Sequence, residues 1–347
     1  MLCAAWPHVR SDLASTRRDA AAFLGNLEGV YGAKSRQSWV QRWTDIADAH
    51  CLVGDLDVEK GAFDEAAEAW LCALTAFEVA RRLVDEDDPQ SGNVSAKVEA
   101  GIQRFGSLER KVERVQLACD DTAEFLAYYL PAGRSHLPTP AVVCISSEEE
   151  TGVTLLGRLL PVVVGRGISV LAVSHDDLSN HWRDQANFLL SCCLDYLSGR
   201  PDVDAARIGV SGEGLSAVLA TDFVLSDRRV AAAVCDAGLW NWARTLASVA
   251  WIARTADEID EAVPSAHRSR LVRQMKCPVL VVAGGRGIVS ATEAIKLQAE
   301  CEVARIDLEL AMPQMARTPV GDIENFVTSD DCIFGWLEHK LARSSVR

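Results

Sequence analysis

No stretch of this sequence approaches the roughly 18 consecutive apolar residues of a membrane-spanning helix. The N-terminal MLCAAWPHVRSDLASTRRD carries no sustained apolar run of the kind a secretory leader needs. A membrane role and a targeting segment are therefore not expected. A basic stripe is missing as well: 35 Lys and Arg stand against 49 Asp and Glu, a formal net charge of −14. Nothing here could displace counterions from phosphate, which argues against a nucleic-acid partner. There is no C-x-x-C and no H-x-x-x-H, so zinc spacing is absent and no metal is expected. The 11 cysteines are scattered, odd in number and without paired spacing, which argues against a disulfide framework and for a reducing compartment. The expectation from these absences is a cytoplasmic protein without a cofactor, leaving a small-molecule substrate or ligand, or a protein partner, as what it binds. A homodimer is compatible with them.

What is present is a chain of 347 residues, 49% hydrophobic, long enough for about two domains. From Ser38 to Leu83 apolar residues recur at helical spacing, first Trp39, Trp43, Ile46 and Ala47, then Phe63, Ala67, Trp70, Leu71, Leu74 and Phe77. Gly54 and Gly61, with acids between them, are read as the break between two helices. DEDDPQSGN, Asp85 to Asn93, reads as a polar loop, and Val94 to Glu113 as helix again. The expectation is an N-terminal helical domain over residues 1–112.

Short β-branched runs then alternate with helix-length segments. VQLAC and TAEFLAYYL look like an antiparallel pair, followed by AVVCIS (141–146), GISVLAVS (167–174), RIGVSG (207–212), VAAAVCD (230–236), CPVLVVAG (277–284) and RIDLELAM (305–312). Runs that are apolar throughout point to strands covered on both faces. The fold class is therefore α/β, a doubly wound and mostly parallel sheet over 113–347, with a helical cap insertion at about 239–274.

RIGVSGEGLSAVLA, Arg207 to Ala220, reads as a strand, a sharp turn and a helix. The nucleophile elbow G-x-S-x-G needs small residues two before and two after the reactive side chain, because strand and helix backbones nearly touch. Centring on Ser211 puts Glu213 after it, and centring on Ser216 puts Val218 after it. Only Gly212-Glu213-Gly214-Leu215-Ser216 has small residues on both sides, and it places Gly214 where the attacking oxygen would be.

The order of elements, the RIGVSGEG elbow, and an N-terminal helical unit carrying SWVQRWTDIAD and GAFDEAAEAWLCALTAFEVA together resemble one family. It is the α/β-hydrolase family of 2,6-dihydropseudooxynicotine hydrolase, with the fermentation/respiration switch proteins and fungal polyketide-shortening hydrolases as relatives. The resemblance covers roughly residues 35 to 343, and it implies the α/β-hydrolase fold. It also implies a serine on the elbow, an acid after the seventh strand and a histidine after the eighth. The serine position matches Gly214. After CPVLVVAG come Gly285, Arg286, Gly287 and Ile288, and PQMARTPVGDIEN holds no histidine, the next being His339. The expectation is a degenerate triad.

The resemblance also matches the catalytic glutamate after the family's third strand to Glu149 in SSEEETG, although EEE is equally read as a solvated helix start. SHDDLSN places His175 and Asp176 after the fourth strand, either as proton-transfer groups or as a loop histidine bonded to nearby backbone. Backbone N–H groups of Leu215 and of the Ser147-Glu148 turn would form an oxyanion hole. Glu213, Asp236 and Trp240 are expected to line the pocket, with helix capping as the other reading of Asp236 and core-to-cap packing that of Trp240. A site with oxyanion donors and an acid or base but no nucleophile suits cyclase, lyase or isomerase chemistry on a small carbonyl-rich metabolite, polyketide-like or aromatic. The alternatives are an inactive pseudo-hydrolase that binds a ligand or protein partner, and a divergent C–C or ester hydrolase.

Overall fold

The computed structural model describes residues 11–27, 33–84, 90–108, 112–119, 123–133, 137–179, 183–236, 274–283, 291–318 and 321–342. The chain divides into two compact units, one of residues 1–113, 153–164 and 314–330, the other of residues 114–152, 165–313 and 331–347. Of the cap expected at 239–274, only Gln274 lies inside the described residues.

In the first unit the N-terminal helices are α1 (Leu13–Gly25), α2 (Ala33–Glu59), α3 (Phe63–Leu83) and α4 (Gln90–Ser107). Helix α3 is its centre: Ala66, Ala67, Ala69, Trp70 and every residue from Leu71 to Ala80 are buried. Helix α2 runs straight through Gly54, which the sequence reading had placed at a helix break. Gly54 lies against the Trp70 indole, where an added Cβ would come within 2.6 Å of Cδ1. The residue is small to admit a ring, and the chain reverses instead at Gly61, whose φ is +74°. Helix α1, with Asp12 capping the Ser15 N–H at 3.0 Å, precedes the Ser38 start read from periodicity. Helix α4 begins at Gln90, inside the segment read as a loop.

The same unit buries charge. Glu78 accepts from Nε of Arg81 and Nε of Arg82, each at 2.7 Å. Arg158, on α5 (Gly152–Val163), donates from Nη1 to Asp330 Oδ1 at 2.5 Å, with 5% and 3% of the two side chains exposed. Burial pushes the Asp330 carboxyl up to about 6, against the pull of Arg158, Arg17 and Arg82. The Arg158 guanidinium beside it opposes that rise and favours the carboxylate form. Strands β9 (Met315–Thr318) and β10 (Gly321–Glu324) form a separate antiparallel hairpin here, which the sequence reading did not anticipate.

The second unit is an eight-stranded sheet in the order β1-β2-β4-β3-β5-β6-β7-β8. Its strands are β1 (Glu113–Cys119), β2 (Ala123–Leu130), β3 (Thr139–Ile145), β4 (Ser169–Val173), β5 (Val203–Glu213), β6 (Val230–Asp236), β7 (Val279–Val282) and β8 (Leu308–Ala311). Strand β2 is antiparallel to β4, and the pairs from β4 across to β8 are all parallel. Strands β4 and β7 are buried along their whole length, as their unbroken apolar runs require. Helices α6 (His175–Ser179), α7 (Arg183–Ser198), α8 (Ser216–Ser226), α9 (Ala291–Ala304) and α10 (Phe326–Leu341, from residue 331 in this unit) alternate with the strands. The doubly wound α/β fold expected from the sequence is the fold observed.

Removing either partner of the buried Arg158–Asp330 pair takes from the other its buried counter-charge at 2.5 Å, a loss that typically costs about 3–5 kcal/mol, whereas replacing both by apolar residues does not. Arg158→Met and Asp330→Leu are each expected to lose stability of that order in urea unfolding, with the double variant losing clearly less than their sum. Additive losses would show that the two charges do not depend on each other.

Candidate functional site

The carboxyl ends of four strands lie level with one another. Register sets Ile145 opposite both Val173 and Gly212, and sets Gly212 and Glu213 opposite Cys235 and Asp236. In an open α/β sheet this is the edge where ligands bind.

The turn from β5 into α8 is closed by two glycines with different tasks. At Gly212 an added Cβ would run into the Ser216 carbonyl and lie 3.0 Å from the Ala217 nitrogen, so strand and helix can approach only if this residue has no side chain. Gly214 turns the chain with φ +59°, and its N–H donates to the Asp236 carbonyl at 2.8 Å. The space that a side chain at 214 would fill is taken by Glu148: a Cβ built there collides with Glu148 Oε2 and lies 3.4 Å from Ser147 Cβ. That same Oε2 accepts the N–H of Leu215 at 3.0 Å.

The turn after β3 explains how one glutamate of three reaches the elbow. The Glu150 N–H donates to the Ser147 carbonyl at 3.2 Å and closes the turn, with Glu148 and Glu149 at its tip. Glu150 is buried, Glu148 and Glu149 are both exposed, and Glu148 bonds across to Leu215. The sequence reading gave the acid–base role to Glu149 and only a backbone role to Glu148. The carboxylate that the turn brings to the elbow belongs to Glu148. The Leu215 N–H, expected from the sequence as an oxyanion donor, is thus bonded to a side chain of the protein itself.

His175 opens α6 directly after β4 and is buried. Its main-chain N–H donates to Ser146 Oγ at 3.0 Å, and its Nδ1 lies 2.7 Å from Ser216 Oγ. Ser216, fully buried, donates its hydroxyl to the Ser146 carbonyl at 2.7 Å. Burial holds the His175 pKa below the ordinary histidine value, while Glu148 and Asp176 pull the other way. His175 and Glu148 follow the ends of neighbouring strands, β4 and β3. Neither the contact to Ser216 nor the part played by Ser146 was read from the sequence: the histidine and Ser216 are 41 residues apart, and only the parallel order of β4, β3 and β5 joins them.

Of the other expected site residues, Asp176 is exposed on α6, and Glu213 and Asp236 are half-buried at adjacent strand ends. Ser211 lies within β5, half-buried, opposite Cys144 and Val234. His339 is exposed on α10. Trp240 and the segment Gly285–Ile288 lie outside the described residues. Among the described residues no group of three or more His, Cys, Asp or Glu could hold a metal ion, and no helix is long and apolar enough to cross a membrane.

No family model and no curated protein matches the chain. Solved structures do. The crystal structure of 2,6-dihydroxy-pseudo-oxynicotine hydrolase is 17% identical, with a TM-score of 0.56, over 94% of this chain and 96% of that one. An acylaminoacyl peptidase of Pyrococcus horikoshii is 12% identical, with a TM-score of 0.51, over 70% of this chain and 44% of that one. A puromycin-hydrolyzing peptidase of Mycobacterium tuberculosis is 14% identical, with a TM-score of 0.52, over 68% of this chain and 40% of that one. At such identities the likeness is one of architecture, and together with the sheet order and the β5–α8 elbow it establishes that this chain has the α/β-hydrolase fold.

Proposed function

We propose that this protein is an α/β-hydrolase-fold enzyme that works by proton transfer and backbone hydrogen bonding, without a nucleophile on the elbow, on a small carbonyl-rich metabolite. The observation that carries this reading is the pairing at the turn: glycine at 214, with the Glu148 carboxylate lying over it and on the Leu215 N–H. A substrate carbonyl that displaced Glu148 from Leu215 would gain a backbone donor and leave a carboxylate beside its α-carbon. Glu148 or His175, which follow neighbouring strand ends, would then take or return the proton of an enolate. Cyclisation, elimination, isomerisation, or C–C or ester cleavage by a water molecule are all open to such a site. Acyl-enzyme chemistry fits this reading poorly, because glycine at 214 offers no attacking side chain.

The second reading is a pseudo-hydrolase that binds a ligand and catalyses nothing. The same Glu148–Leu215 bond favours it, since a carboxylate held in place of an oxyanion also describes a closed site. The hydrolases among the structural neighbours keep hydrolysis among the reactions to be tested.

Proton exchange at the α-carbon separates the two readings without knowledge of the substrate. In D₂O the protein is expected to accelerate deuterium incorporation into 2,4-pentanedione, followed by NMR. Glu148→Gln should lower that rate by about 10² to 10⁴-fold, the usual worth of one positioned acid or base. No acceleration by the wild type would leave the binding reading. An equal loss in Glu149→Gln would move the role to that residue.

A fluorophosphonate probe, which needs an activated serine, is expected not to label the wild type, and Gly214→Ser should not gain labelling on its own. Labelling abolished by Ser211→Ala or Ser216→Ala would return the protein to the acyl-enzyme hydrolases.

The pH profile follows from the burial of His175. A base acts when unprotonated, and a pKa below 6.5 keeps it so as pH falls through that value. The acid limb of kcat/KM is thus expected below pH 6.5 and should change in His175→Gln. An acid limb unchanged in that variant would remove His175 from the proton transfer.

A further inference from the structure

The hydroxyl of Ser216 has one proton, and two groups stand within reach of it. One is the Ser146 carbonyl at 2.7 Å, an atom that can only accept; the other is Nδ1 of His175, also at 2.7 Å. If the proton went to the ring, a carbonyl at a fully buried residue would lose this donor. If it goes to the carbonyl, the ring must supply its own hydrogen to Ser216 Oγ. The second arrangement satisfies every atom in the chain of contacts. A neutral imidazole carries a single N–H, so placing it on Nδ1 leaves the lone pair on Nε2.

We propose that Ser216 is a positioning residue whose hydroxyl, committed to the Ser146 carbonyl, fixes His175 in the Nδ1–H tautomer and so makes Nε2 its proton-accepting atom. This rests on the reading of His175 as a proton-transfer group. The ring is held as well as labelled, because the His175 main-chain N–H is tied to Ser146 Oγ at 3.0 Å. Ser146 Oγ in turn donates to the Glu150 carbonyl at 2.7 Å. The charged groups acting on the ring are Glu148 and Asp176, both of which favour protonation, and burial, which opposes it more strongly. The serine that the elbow motif offers as an alternative nucleophile is thereby given the reverse task. It accepts a hydrogen bond from the histidine, where an attacking serine would have to donate one.

The test is a histidine-selective ¹⁵N label with long-range ¹H–¹⁵N correlation above pH 7, in which each tautomer has its own pattern of one pyrrole-type and one pyridine-type nitrogen. His175→Gln assigns the signals among the seven histidines of the chain. In the wild type His175 is expected to show a pyrrole-type Nδ1 and a pyridine-type Nε2. In Ser216→Ala the two patterns should exchange, since the Nε2–H form is the one a free histidine side chain favours in water. Ser146→Ala keeps its main-chain carbonyl, so the Nδ1–H tautomer should persist there. An Nε2–H tautomer in the wild type, or an Nδ1–H tautomer that survives in Ser216→Ala, would overturn the proposal. Loss of Nδ1–H in Ser146→Ala would also overturn it, by moving the task to the Ser146 hydroxyl. Should Ser216→Ala not fold, the wild-type and Ser146→Ala spectra still decide. The measurement reads the ring and not the reaction. Failure of the proton-transfer reading, seen as full activity in Glu148→Gln, is therefore separable from failure of this one.

Discussion

One buried serine holds the site together. Ser146 follows the last residue of β3 and is entirely excluded from solvent, so its N–H, carbonyl and hydroxyl must all find partners in the protein. Its N–H goes to the Val173 carbonyl on β4, its carbonyl takes the Ser216 hydroxyl from α8, and its Oγ links the His175 N–H to the Glu150 carbonyl. The ends of β3 and β4 and the start of α8 are thus referred to a single residue. A shift of the histidine or of α8 would draw on these buried hydrogen bonds, and a buried group left without a partner typically costs about 1–3 kcal/mol.

The elbow depends on that arrangement from the other side. Gly212 is needed so that the backbone of α8 can come down onto β5, and this close approach delivers Ser216 to the Ser146 carbonyl. Gly214 follows because the chain must turn with positive φ, which is easiest for glycine. A side chain there would also have to displace the Glu148 carboxylate from its place beside the turn. The space beside the turn is taken by a carboxylate that comes from the end of a neighbouring strand.

The parallel strands were legible because burial on both faces leaves an unbroken apolar run, as in VLVV and SVLAV. The elbow register was legible because a close backbone approach admits little but glycine. Other elements carried weaker marks. The β9–β10 hairpin has four residues in each strand and no clear alternation, and α1 lacks a strongly apolar stripe. Gly54 misled because a glycine that admits an indole ring looks the same in sequence as one that ends a helix. Among three consecutive glutamates nothing local says which faces the elbow. That is decided by a turn bond between Glu150 and Ser147 and by a partner 67 residues away. The pairing of His175 with Ser216 is likewise a product of strand order, to which residue spacing is blind.

The buried Arg158–Asp330 pair joins residues 172 positions apart, and both belong to the unit whose helices come from the first part of the chain. A chain emerging from the ribosome presents Arg158 long before its carboxylate exists. The first unit draws on three separate stretches of the chain, and the one that carries Asp330 is translated only after most of the second unit. Vectorial synthesis therefore cannot complete this molecule from one end: the earliest core to be translated is among the last to be sealed.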